Sequence, residues 1–148
     1  MKGGDVMKLM LVILSVAIMS ASSAQNSTSG LSGTTWQLVK FQGPDERVFT
    51  PDDKSKYTVS FGRSGGVIAT IDCNTARSTW RVTAPGQLKF GSWSRTSAKC
   101  GNGSLHDQIV RDGAAVRNFE IKDGHLFLSG MESGGYYELE PWPGAKRQ

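Results

Sequence analysis

Cys73 and Cys100 are the two cysteines of this 148-residue chain, and the stretch they bracket also holds two of its four tryptophans. Joined, they close a loop of roughly 28 residues, which removes on the order of 3–4 kcal/mol of conformational freedom from the unfolded chain. Whether they join depends on the compartment, and the N-terminal residues speak to that. Residues 9–19, Leu-Met-Leu-Val-Ile-Leu-Ser-Val-Ala-Ile-Met, form an apolar run of eleven after Lys8, and small residues ending Ser22-Ser23-Ala24 follow. That order describes a secretory signal peptide, residues 1–24, with cleavage after Ala24. Eleven residues are too few to span a bilayer, and the helix-breaking Ser20 to Ser23 disfavour an uncleaved anchor. Met7 makes a more compact leader than Met1, because Asp5 is unwelcome in the basic segment. With no cysteine at the cleavage point to carry a lipid, a periplasmic or secreted protein without a stable membrane span is expected.

In an oxidising compartment two cysteines with no third thiol pair as one disulfide, Cys73 to Cys100. A redox or nucleophilic thiol would call for C-x-x-C spacing or a paired histidine, and neither is present. A zinc site from Cys73, Cys100 and His106 lacks its fourth ligand, so no metal and no cofactor is expected.

The 18 glycines favour many turns and short strands over long helices. Residues 25–31 read as a flexible arm, residues 32–141 as the one domain, and residues 142–148 as a loose basic tail. Trp36, Leu38 and Lys40 alternate with Gln37, Val39 and Phe41, a strand with apolar groups on both faces. A loop is expected over 43–56, then a half-buried strand on Tyr57, Val59 and Phe61, a glycine turn over 62–66, and a return strand at 67–71. Strands at 78–82 and 87–90 flank the type II turn signal Ala84-Pro85-Gly86. Phe119/Ile121 and Leu126/Leu128 flank Asp123-Gly124, and Tyr137/Leu139 form the last strand. One helix is predicted after Cys100, with Ser104 as cap, Asp107 completing a capping-box-like pair, Leu105, Ile109 and Val116 near one face, and Gly113 at its end. The sum is a β-rich α+β fold, an incomplete or cracked antiparallel β-barrel of about eight short strands, its open side covered by the helix.

The formal charge of +4 falls to about +3 once Lys2, Lys8 and Asp5 leave with the leader. The remaining basic residues stand singly, so a nucleic-acid footprint is not supported. Ser104, His106 and Asp107 are the residue types of a hydrolase triad, yet neighbours in one helical turn cannot line up nucleophile, base and orienter. His106 and His125 read as surface histidines, and Asp52/Asp53 and Glu138/Glu140 as solvated carboxylates, so a hydrolase of unknown type has no evident centre. Ser133-Gly134-Gly135-Tyr136-Tyr137 resembles the Ser-Gly-x-x-Tyr element of periplasmic lysozyme inhibitors, small barrels that insert a loop into the enzyme's cleft. A basic chain is poorly matched to a basic lysozyme, which weighs against that alternative.

Four motifs stand in order along the chain. Leu31-Ser32-Gly33-Thr34-Thr35-Trp36-Gln37-Leu38-Val39 opens it, Cys73-Asn74 sits at its centre, Gly86-x-Leu88-x-Phe90-Gly91 follows, and Thr96-x-x-x-Cys100 closes the set. On these motifs the chain resembles the META domain family of HslJ-like heat-inducible envelope proteins, over about residue 31 to Pro141. It departs just after Cys73-Asn74: the family commonly has arginine there, whereas Thr75-Ala76 follow here and Arg77 stands two positions later. The resemblance implies a cracked barrel with a helix, similar to a secretin pilot protein, an association with envelope stress, and no established catalytic residues. The expectation is therefore a non-enzymatic, monomeric binding module for an envelope protein or a lipid-like ligand.

Overall fold

A computed structural model of the chain describes residues 30–144. The signal peptide at 1–24, most of the arm and the last four residues of the tail lie outside the described residues. The strands are β1 (Thr34–Gln42), β2 (Val48–Phe49), β3 (Tyr57–Phe61), β4 (Gly66–Ile71), β5 (Asn74–Ala84), β6 (Gln87–Phe90), β7 (Ser94–Arg95), β8 (Asn118–Lys122), β9 (His125–Ser129) and β10 (Tyr136–Pro141). A 3-10 turn at Lys54–Lys56 precedes β3, and the helix α1 (His106–Gly113) lies between β7 and β8.

Eight strands form a ring. Neighbours run β1–β3–β4–β5–β6–β8–β9–β10, and β10 pairs back to β1 from Trp36↔Pro141 to Gln42↔Tyr136. β2 pairs with the end of β1, and β7 with β5, outside the ring. The barrel is therefore closed, which corrects the cracked form expected from the sequence. Its narrowest seam is β6–β8, where Gln87 faces Asn118, Leu88 N–H donates to Arg117 O at 2.9 Å and Phe119 N–H donates to Gly86 O at 2.9 Å. Between those strands the chain makes its long excursion through β7 and α1, so the two meet at one end only, and no hairpin zips them.

Local sequence explains most strands and one surprise. Tyr57, Val59 and Phe61 point inward from β3, and Val67, Ala69 and Ile71 from β4, as a period of two requires. In β1 the pairing to β10 shifts between Leu38 and Lys40, a bulge, so that Trp36, Leu38 and Phe41 all turn inward. Lys40 thereby faces out, 3.4 Å from Glu138. The apolar groups on both parities of this stretch are the trace of that bulge. β5 starts at Asn74 rather than Ser78, because a tight turn with Asp72 at φ 56 lets the β4 ladder continue straight back.

Two boundaries move. Leu31, expected at the end of a flexible arm, is fully buried: Thr34 N–H donates to Leu31 O, and Gly33 N–H donates to Phe61 O at 2.7 Å. At the other terminus Trp142 N–H donates to Thr35 O at 3.0 Å, so the ladder outlasts Pro141. Phe61 stacks edge-on to Trp80 at 5.3 Å between ring centroids, and Trp80 Nε1–H donates to Gly62 O.

Candidate functional site

Four of the motif residues, Cys73, Asn74, Thr96 and Cys100, converge on one clamp. Asn74 is 2% exposed, and its side-chain oxygen accepts from Thr96 Oγ1–H and from Ala98 N–H, both at 2.8 Å. Its amide nitrogen donates to Ala98 O at 2.8 Å and lies 3.4 Å from Cys100 Sγ. Thr75 N–H donates to Thr96 Oγ1, and Thr96 N–H to Thr75 O. Beside this hub Cys73 and Cys100 form a disulfide, their Cα atoms 5.5 Å apart. Asn74 thus satisfies the backbone at Ala98, beyond the end of β7, where the segment has no strand partner. Gly91 serves the same end, since a Cβ there would fall 2.4 Å from Thr79 Oγ1 while Gly91 N–H donates to Thr79 O. Leu88 is buried in the core, and Trp36 Nε1–H donates to Thr34 Oγ1. Cys73, Asn74, Gly91, Thr96 and Cys100 together hold the segment 91–100 against β5, whereas Trp36 and Leu88 belong to the core.

What that segment covers is a cavity. A space of about 140 Å³ lies between the barrel wall and α1, walled by Leu38, Val59, Ile71 and Leu139 from the strands and by Ile109 and Val110 from the helix. Phe90, Trp93 and Arg95 reach it from the clamped segment. Phe90 lies 5.1 Å from Trp93 between ring centroids. The Trp93 indole N–H is buried and has no acceptor among the described residues. Neither Trp93 nor Arg95 stood out in the sequence, yet their place between Gly91 and Thr96, two motif ends, was a usable signal.

A second polar centre fixes α1 to the wall. Asp112 is 3% exposed and accepts from Tyr137 O–H at 2.6 Å and from Ser133 O–H at 2.9 Å. Gln108 Nε2–H donates in turn to the Tyr137 oxygen at 3.3 Å. Burial, and then the Asp112 carboxylate beside it, push the Tyr137 phenol far above its ordinary 10.0, so it stays a donor. Asp112 follows Ile109 by three residues on α1 and is the buried residue of that helix. Ser133 and Tyr137, the lysozyme-inhibitor letters, are therefore turned inward. The loop between them is fixed as well, because a Cβ on Gly135, at φ 76, would meet Gln42 O at 2.1 Å.

The triad-like letters take other roles. Ser104 Oγ accepts from His106 N–H at 3.1 Å, while Ser104 N–H reaches Gly101 O, so the reciprocal box with Asp107 does not form. Leu105 N–H donates to Tyr57 Oη, a tertiary cap that begins the helix one turn position later. His106 is no surface residue: its Nε2 is buried without a partner among the described residues, and its Nδ1 is 2.8 Å from the solvated Asp107. His125 Nδ1 lies 2.7 Å from Glu138 Oε1 on the outer wall. Glu140 accepts from Lys54 and Gln37, which hold its carboxyl below the usual range. Among the described residues there is no cluster of three metal-ligating side chains, and no helix is long and apolar enough to cross a membrane.

No curated protein matches the chain. Two solved structures share its fold at 14% identity each. One is an NMR structure of a protein from Burkholderia xenovorans, with a TM-score of 0.61 over 76% of this chain and 84% of that one. The other is a crystal structure of a DUF4847 family protein from Bacteroides vulgatus, with a TM-score of 0.57 over 76% of this chain and 95% of that one. The META domain matches residues 29–146, a range that contains the clamp, the cavity and the Asp112 hub. The chain belongs to the META domain family.

Proposed function

We propose that this META-domain chain is an exported, non-enzymatic binding module whose barrel takes an apolar ligand between its wall and α1. The observation that carries the reading is the cavity, lined by branched aliphatic and aromatic side chains and set beneath a segment that a disulfide holds in place. Its volume of about 140 Å³ is close to that of an engineered apolar cavity of about 150 Å³ that stays dry and takes up benzene. Well-packed interiors leave few such spaces. The disulfide fits an oxidising compartment, and the residues of catalytic type are engaged as acceptors, helix anchors or outer-wall ion pairs.

Thermal unfolding of the disulfide-intact protein with toluene or indole tests the cavity. At about a hundred times Kd a ligand stabilises the folded state by about 2.7 kcal/mol. No shift in Tm with any small apolar probe, together with no lipid in mass spectra of the protein purified from its own host and no partner in a periplasmic pulldown, would remove the proposal. Export is tested by the intact mass of the protein from fractionated cells, which should correspond to a chain beginning at Gln25. Turnover of generic ester, peptide or glycan substrates would replace the binding module with an enzyme.

A further inference from the structure

We propose that the ligand is a small amphipathic anion, with an apolar body inside the barrel and a carboxylate at the mouth, held by the Arg95 guanidinium and the Trp93 indole N–H. This rests on the binding-module reading and adds the chemical class. Among the residues that line the cavity Arg95 alone is charged, and it forms no ion pair among the described residues. It belongs to β7, whose pairing Ala76↔Arg95 ties it to the barrel, and the next residue is Thr96 of the Asn74 clamp. An exposed cation at the edge of an apolar space attracts an anion and repels a cation.

Trp93 supplies the independent observation. Its buried indole N–H has no acceptor among the described residues, and a buried donor is costly to leave unpaired. The Tyr137 hydroxyl is committed to Asp112, and the Tyr57 hydroxyl accepts from Leu105 N–H. A carboxylate reaching both donors would form charge-assisted bonds, the stronger class. A space near 140 Å³ suits an apolar body of about five to seven non-hydrogen atoms outside the carboxylate, the class of hexanoate or phenylacetate, rather than a whole lipid.

Calorimetric titration of the disulfide-intact protein with hexanoate, 1-hexanol and hexylamine at neutral pH separates the steps. The expected result is hexanoate binding at least about tenfold tighter than hexanol, and hexylamine weakest. Arg95→Gln, which keeps the backbone pairing to Ala76, should bring hexanoate and hexanol within about twofold of each other. Trp93→Phe should weaken hexanoate severalfold with the near-ultraviolet dichroism of the remaining aromatic residues retained. Equal affinity for hexanoate and hexanol in the native protein, tighter hexylamine, or an unchanged preference in Arg95→Gln would overturn the anion while leaving the apolar site standing. Binding of none of the three, nor of toluene, would bring down the site itself.

Discussion

The segment carrying Trp93 and Arg95 is fixed by a disulfide and a neutral amide, whereas α1 is fixed to the same barrel by a buried carboxylate. Both anchors serve the cavity, one beside its mouth and one along its helical side. The first works partly through the unfolded state, because the Cys73–Cys100 bond limits the free chain. The second works only in the folded state, where Asp112 is worth having because Tyr137 and Ser133 meet it. One anchor should therefore answer to reductant and the other to pH.

The largest expected effect is on the covalent side. Cys73→Ala with Cys100→Ala should cost about 3–4 kcal/mol in urea unfolding, and dithiothreitol should lower the native protein to the same midpoint. Coincidence of the reduced protein and the double variant would show that chain restriction, and not the sulfur contacts of Asn74, dominates. Next comes Asp112→Ala, which strands the Tyr137 and Ser133 hydroxyls inside and should cost about 2–3 kcal/mol, with no change in response to reductant. If that variant unfolds at the native midpoint, the two anchors are not equivalent fixtures and α1 is held by its apolar face alone.

How far each anchor was legible follows from its material. Cys73, Asn74, Thr96 and Cys100 carry distinctive side chains at fixed spacing, so the clamp could be read as a unit before any geometry was known. Trp36 and the alternation of Tyr57, Val59 and Phe61 likewise announced their faces. Asp112 could not be read the same way, because a lone acid on a helix usually faces water, and its partners arrive from β10 and the preceding turn, more than 20 residues on. The bulge between Leu38 and Lys40 hid in a stretch apolar on both parities. Closure of the ring depended on one pairing between β6 and β8, separated by the whole excursion through α1, and no local pattern encodes such a pairing. The cavity is hidden for a related reason, being the space that eight diverging strands and a short helix leave unfilled.

A smaller effect sharpens what the carboxylate anchor does. The Tyr137 phenol is held above its ordinary 10.0, so the folded state keeps its proton where the unfolded chain releases it. Its contribution is whole below pH 10.0 and declines as pH rises beyond, by at most about 1.4 kcal/mol per pH unit for one proton. Tyr137→Phe should cost about 1 kcal/mol at neutral pH and flatten that alkaline decline, measured as the urea midpoint against pH.

The smallest effect asks whether burial, rather than the number of partners, makes Asp112 an anchor. Glu140 also accepts from two side chains, Lys54 Nζ at 3.0 Å and Gln37 Nε2 at 2.8 Å, but it lies on the outer wall in contact with solvent. Its carboxyl is depressed by those bonds, so its contribution is present above the ordinary 4.5 and is lost as pH falls through the lower folded value. Water competes for every one of these groups, and Lys54→Ala should change stability by no more than about 0.5 kcal/mol at neutral pH, and by nothing measurable in acid. A loss comparable to that of Asp112→Ala would mean that the β1–β10 seam, which closes the barrel, leans on its outer ion pairs as heavily as α1 leans on its buried carboxylate.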